Sequence, residues 1–151
     1  MPLCILILLN AARAGGALQN TRVGRGLAVA DFDNDGFLDV AISSVGRKAV
    51  LLRNRGVSKN NWLEIRAEGT KSNRFGLGAT VRVQTAGSLQ VREINNAARY
   101  ESANDIRLHV GVGTARTIPQ IEILWPSGIR QTLKDVAVNQ ILRIKEEGEK
   151  Q

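Results

Sequence analysis

Asp31-Phe32-Asp33-Asn34-Asp35-Gly36-Phe37-Leu38-Asp39 decides how this chain is read, because four carboxylates fall within nine residues and apolar segments bracket them. Asp at 31, 33 and 35 presents successive oxygens to one side of a tight turn, and Gly36 supplies the backbone freedom that such a turn needs. A hard cation taking about six to eight oxygens is satisfied by Asp31, Asp33, Asp35, the Phe37 carbonyl and Asp39, with water completing its coordination. Without a cation the loop opposes itself: two carboxylates about 5 Å apart at an effective dielectric of about 20 repel by roughly 3 kcal/mol. Calcium is the simplest remedy. The other reading is an acidic β-turn that solvates itself, since Asp and Asn are common in turns. Four Asp at this spacing around a glycine exceed what turn chemistry alone requires.

The helix-loop-helix form of calcium site is excluded, because it needs a bidentate Glu at the twelfth loop position and the twelfth residue counted from Asp31 is Ile42. The flanks are strand-like instead. Gly26-Leu27-Ala28-Val29-Ala30 precedes the loop and Leu38-Asp39-Val40-Ala41-Ile42-Ser43 follows it, both short and rich in β-branched or small apolar residues. A further apolar strand, Ala49-Val50-Leu51-Leu52-Arg53-Asn54, fits the end of the same unit.

This strand-loop-strand segment, with Gly26-Leu27-Ala28-Val29-Ala30-Asp31-Phe32-Asp33-Asn34-Asp35-Gly36 at its centre, resembles the FG-GAP/VCBS repeat of integrin-like β-propellers. The resemblance implies a single propeller-type blade and assigns calcium ligation to Asp31, Asp33, Asp35, Phe37 through its carbonyl, and Asp39. One blade cannot close a propeller, and unstacked repeats expose apolar faces. The expectation is therefore a C-terminal fragment of a larger propeller protein, or a blade that pairs with the second domain, with upstream blades or with another chain.

After a polar, turn-rich stretch at 57–61 the pattern is β throughout. Leu63, Ile65 and Ala67 alternate with Glu64 and Arg66; Ala79, Val81 and Val83 with Thr80, Arg82 and Gln84; Leu89 and Val91 with Gln90 and Arg92. Each such strand is expected to keep one wet face. Thr85-Ala86-Gly87-Ser88 links two of them, and later strands are expected near 107–112, 121–125, 129–133 and 141–145. Pro126-Ser127-Gly128 predicts a tight turn between Trp125 and Ile129. The spacing predicts a small β-sandwich or barrel.

Asn61-Trp62-Leu63, Lys71-Ser72-Asn73-Arg74, Gly76-Leu77-Gly78-Ala79, Arg107-Leu108-His109-Val110-Gly111-Val112-Gly113 and Trp125-Pro126-Ser127-Gly128 occur in one order at compatible spacing. In that combination the region resembles the ASPIC/UnbV domain, which follows FG-GAP repeats in relatives of the cartilage acidic secreted proteins. Phe75 stands where that family often has an acidic or small residue, which removes support for a ligand site in its loop. The resemblance implies a fold and an extracellular or cell-envelope setting, and it brings no agreed biochemical activity with it.

The resulting layout is all-β: a leader, upstream-blade remnant or degraded signal over 1–20, the FG-GAP/VCBS repeat over 21–56, a linker over 57–61, the ASPIC/UnbV-like β-domain over 62–146 and a charged tail over 147–151. The 43% hydrophobic content of the 151 residues is enough for a real core. The net charge of +7 invites nucleic acid as partner. Its distribution argues against one, because the cations are scattered singly along strands and the aromatic content of 4% leaves no stacking platform. Cys4 is the single cysteine, so no intramolecular disulfide forms. The apolar run Leu3–Leu9 is too short to span a membrane; it precedes an Ala12-Arg13-Ala14 of signal-peptidase form but lacks a basic start.

An enzyme is not expected. His109, the single histidine, lies between Leu108 and Val110, and alternation turns it to the opposite strand face. Ser43, Ser44, Ser102 and Ser127 lack the flanks of a nucleophile elbow. One His and one Cys make zinc a poor fit. Trp62 and Trp125 are expected to pack in the core; a sugar-stacking role is their alternative. The reading is a non-enzymatic, calcium-stabilised binding or adhesion module whose partner is a protein or glycan at the cell surface. The alternative is a carbohydrate-binding accessory module of a polysaccharide-active protein, using Trp62 or Trp125 with loops near Arg74 or Arg99.

Overall fold

The structure, a computed structural model, describes residues 23–56, 58–85, 87–96 and 102–148. The expected leader, Val57 of the linker and Arg99 lie outside these residues. Ten strands and, among the described residues, no helix make the fold all-β, as the alternation predicts. The strands belong to two compact units, one built from residues 23–56 with 102–105 and the other from the remainder.

The first unit is an antiparallel meander of β1 (Gly24–Ala30), β2 (Asp39–Ser44) and β3 (Arg47–Leu52), in that spatial order. Ala30 pairs with Asp39, so the acidic run is the β1–β2 connection. The register gives the sheet two apolar faces. Leu27, Ile42 and Val50 stand on one side with Val29, Val40 and Leu52, and Ala28, Ala41 and Leu51 on the other. Val40 is buried, while Leu27 and Leu51 remain well exposed. Residues 102–105 cover the open edge of β1. The Leu27 N–H donates to Ser102 Oγ at 2.8 Å, the Val29 N–H donates to Asn104 Oδ1 at 3.0 Å, and the Asp105 N–H donates to the Val29 carbonyl at 3.0 Å. A sheet edge is a row of unpaired backbone groups, and this short polar segment satisfies part of that row.

The second unit is a β-sandwich. One sheet runs β10 (Gln140–Lys145), β4 (Asn61–Glu68), β7 (Leu108–Gly113), with β10 parallel and β7 antiparallel to β4. The other runs β6 (Leu89–Glu93), β5 (Thr80–Gln84), β8 (Thr117–Leu124), β9 (Arg130–Ala137), antiparallel throughout. Leu63, Ile65, Val110 and Ile144 of the first sheet share one core with Val81, Val83, Ile121 and Ile123 of the second. Trp125 is fully buried in that core, and its indole N–H donates to Gln131 Oε1. The expected turn follows: the Gly128 N–H donates to the Trp125 carbonyl at 2.9 Å, and Gly128 takes φ 89°, a value that disfavours a side chain.

The outer face of the β10-β4-β7 sheet departs from simple alternation. Glu64 was expected in water and is 1% exposed, with Oε2 2.7 Å from Arg107 Nη1. Register explains part of the cover, since His109 and Ile141 stand on either side of Glu64. Trp62 lies on this outer face, half-buried, with its ring stacked on His109 at 6.3 Å between centroids. Further along, Arg143 donates to Glu68 at 2.6 Å, and this hydrogen bond holds the Glu68 carboxyl below its ordinary range.

Candidate functional site

Two buried carboxylates build the β1–β2 loop. Asp31, 1% exposed, accepts the Asp35 N–H on Oδ1 at 3.1 Å and the Gly36 N–H on Oδ2 at 2.7 Å. Asp39, 2% exposed, accepts the Phe32 N–H at 3.0 Å and the Asn54 N–H at 2.7 Å. Asp31 thus folds the turn on itself, and Asp39 ties both ends of it to the exit of β3. Asn34 and Gly36 take positive φ (59° and 91°), which Asn tolerates and Gly adopts freely, so the chain reverses between the carboxylates.

These staples bring three carboxylates of the loop together. One oxygen each from Asp31, Asp33 and Asp39 lies within 4.8 Å of the others. Asp33 is the exposed member of the trio. Asp35 is not part of it; its Oδ1 accepts the Phe37 N–H at 2.9 Å, and its other oxygen is 4.0 Å from Arg53. The Phe37 ring packs over Gly56, where a Cβ would collide with it and where φ is +57°. Arg53, one residue past β3, pairs its guanidinium with Asp33 Oδ2. Hard oxygen donors from convergent carboxylates suit calcium and offer nothing to a metal that prefers sulfur or imidazole.

Two further sequence-flagged places resolve differently. Trp125 is sealed in the core and offers no surface to a sugar, so of the two tryptophans Trp62 is the one with surface to offer. Arg74 is exposed on the loop between β4 and β5.

Glu146 was not singled out from sequence, where it is the last residue of the expected β-domain; it is 2% exposed. Its Oε2 accepts three consecutive N–H groups, from Thr70 at 2.7 Å and from Lys71 and Ser72 at 2.8 Å. Its Oε1 accepts the hydroxyls of Ser72, at 2.8 Å, and Ser127. Burial by itself raises this carboxyl, but the hydrogen bonds from Ser127, Ser72 and Thr70 outweigh burial and lower it from 4.5 to about 2. One carboxylate at the end of β10 thereby fixes two loops.

A β-meander with an acidic turn, joined in one chain to a β-sandwich, defines the class. A match to the ASPIC and UnbV family covers residues 69–151, and a match to the FG-GAP repeat covers residues 23–50. The chain belongs to the ASPIC and UnbV family and carries an FG-GAP repeat ahead of that domain. It is 29% identical over 143 residues to Cartilage acidic protein 1 of Mus musculus, covering 91% of this chain and 22% of that protein. Against Cartilage acidic protein 1 of Xenopus tropicalis it is 30% identical over 136 residues, covering 86% and 21%. The chain spans about a fifth of the length of these curated relatives.

Proposed function

We propose that this chain is a calcium-stabilised, non-enzymatic binding or adhesion module working in an extracellular or cell-envelope setting, with a protein or glycan at the cell surface as its partner. The observation that carries the proposal is the convergence of Asp31, Asp33 and Asp39 at a turn whose buried carboxylates already fix its shape. In this reading Asp35 and the Phe37 carbonyl join them to complete the oxygen set. Calcium supplies the positive charge that offsets carboxylate repulsion and keeps the turn closed. The chain's own contribution is preorganisation, because Asp31 and Asp39 hold the backbone by hydrogen bonds that do not depend on the ion.

The setting is supported by relatives whose name refers to cartilage. It also suits the affinity range of extracellular calcium modules, about 0.1–1 mM. Calorimetric titration with calcium is expected to show one site in that range. Asp33→Ala is expected to abolish it, because Asp33 supplies an oxygen to the trio while the hydrogen bonds that shape the turn come from Asp31, Asp35 and Asp39. A wild-type titration without heat up to several millimolar calcium sinks the reading.

A further inference from the structure

We infer that Arg53 is the built-in counter-ion of the acidic loop and that it competes with calcium there, so that it stabilises the metal-free turn and weakens metal binding. The inference rests on the calcium reading above and concerns how that site is set. Within the loop the four carboxylates are compensated in two different ways. Asp31 and Asp39 are buried, and each accepts two backbone N–H groups. Asp33 and Asp35 lie nearer the surface, and the cation beside them is Arg53, paired with Asp33 Oδ2 and 4.0 Å from Asp35 Oδ2.

The placement of Arg53 is fixed by its neighbour. The Asn54 N–H donates to Asp39 Oδ1 at 2.7 Å, which holds the chain at the exit of β3 against the loop and leaves the Arg53 side chain within reach of Asp33. Asp33 also supplies an oxygen to the metal-ligand trio. Guanidinium and calcium therefore draw on the same carboxylate. An arginine fork is content with one or two oxygens, whereas calcium needs the whole set.

Charge gives the sign. The Arg53 side chain is 59% exposed, so the local dielectric is close to that of water. A unit positive charge about 5 Å from a divalent ion in that medium weakens binding by about tenfold. The same charge in the metal-free loop offsets carboxylate repulsion. Both effects push in one direction, toward a loop that folds without metal and holds metal more loosely.

Arg53→Gln tests this by removing the charge while leaving a shorter polar side chain with two N–H donors; Arg53→Lys restores the charge. Calcium calorimetry and thermal unfolding in EGTA are the two readouts. Arg53→Gln is expected to bind calcium about tenfold more tightly than wild type and to melt at a lower temperature in EGTA, with Arg53→Lys close to wild type in both. Wild type that binds calcium while Arg53→Gln binds equally or more weakly overturns the competition and leaves the calcium reading intact. Absence of binding by wild type and Arg53→Gln alike overturns both.

Discussion

Glu146 shows how one side chain can govern a large part of a small domain. Three backbone N–H groups and the hydroxyls of Thr70, Ser72 and Ser127 converge on its carboxylate, an anion nest filled from within the chain. Its pKa is about 2 in the folded protein against 4.5 ordinarily, so its contribution is fully present above about pH 4.5 and is lost as pH falls through about 2. Glu146→Ala is expected to cost about 3 kcal/mol at neutral pH, since charge-assisted hydrogen bonds disappear and buried donors lose their acceptor. Urea unfolding from pH 7 down to 2.5 checks both statements: wild type should lose stability on acidification, and Glu146→Gln should lose less. Neither Glu146 nor Glu64 was legible as a buried residue. Alternation reports which side of a strand a residue faces, and what covers that side is set by residues far away in sequence. Arg107 covers Glu64, and loops 70–72 and 127 enclose Glu146. His109 was legible because its position depends on strand alternation alone.

Among the elements, the edge of β1 is the most telling. Its N–H groups at Leu27 and Val29 are taken by the side chains of Ser102 and Asn104, more than seventy residues away. Side-chain acceptors can protect a strand edge without continuing the sheet, and each such bond contributes about 1 kcal/mol. Ser102→Ala with Asn104→Ala is therefore expected to accelerate amide hydrogen exchange at Leu27 and Val29 and to leave the amides of β5 and β8 unchanged. Unaltered exchange at those two residues contradicts the assigned role. Most strands themselves could be read from sequence through apolar periodicity broken by Gly, Pro and Asn turns, although β8 (Thr117–Leu124) begins before the expected 121–125 and β9 (Arg130–Ala137) runs past the expected 129–133. The parallel pairing of β10 with β4 could not, since nothing local in Gln140–Lys145 distinguishes a parallel from an antiparallel partner. The contact of residues 102–105 with β1 escaped for the same reason: two polar side chains carry it, and no apolar pattern marks them.

At the scale of the whole molecule, charge and apolar surface are unevenly used. The net charge of +7 coexists with one dense acidic loop, so the anionic cluster stands out against a basic background. The first unit keeps apolar residues on both faces of a three-stranded sheet, with Leu27 43% and Leu51 48% exposed, whereas the second encloses a full sandwich core. The acidic loop was the most legible feature of the sequence because its chemistry is local: spacing of carboxylates, a glycine and two flanking strands. Sequence did not show that Asp31 and Asp39 would be buried staples, that Asp35 would turn to the Phe37 N–H, or that Arg53 would sit against Asp33. Those depend on where the end of β3 passes.

Thermal unfolding of wild type and Asp33→Ala, each in excess EGTA and in saturating calcium, decides whether the acidic loop holds calcium. Calcium at about a hundred times its dissociation constant stabilises by about 2.7 kcal/mol, a shift of several degrees for a domain of this size. That rise is expected in wild type and is expected to disappear in Asp33→Ala. An unchanged melting temperature for wild type at saturating calcium, or an equal rise in Asp33→Ala, would contradict calcium binding there.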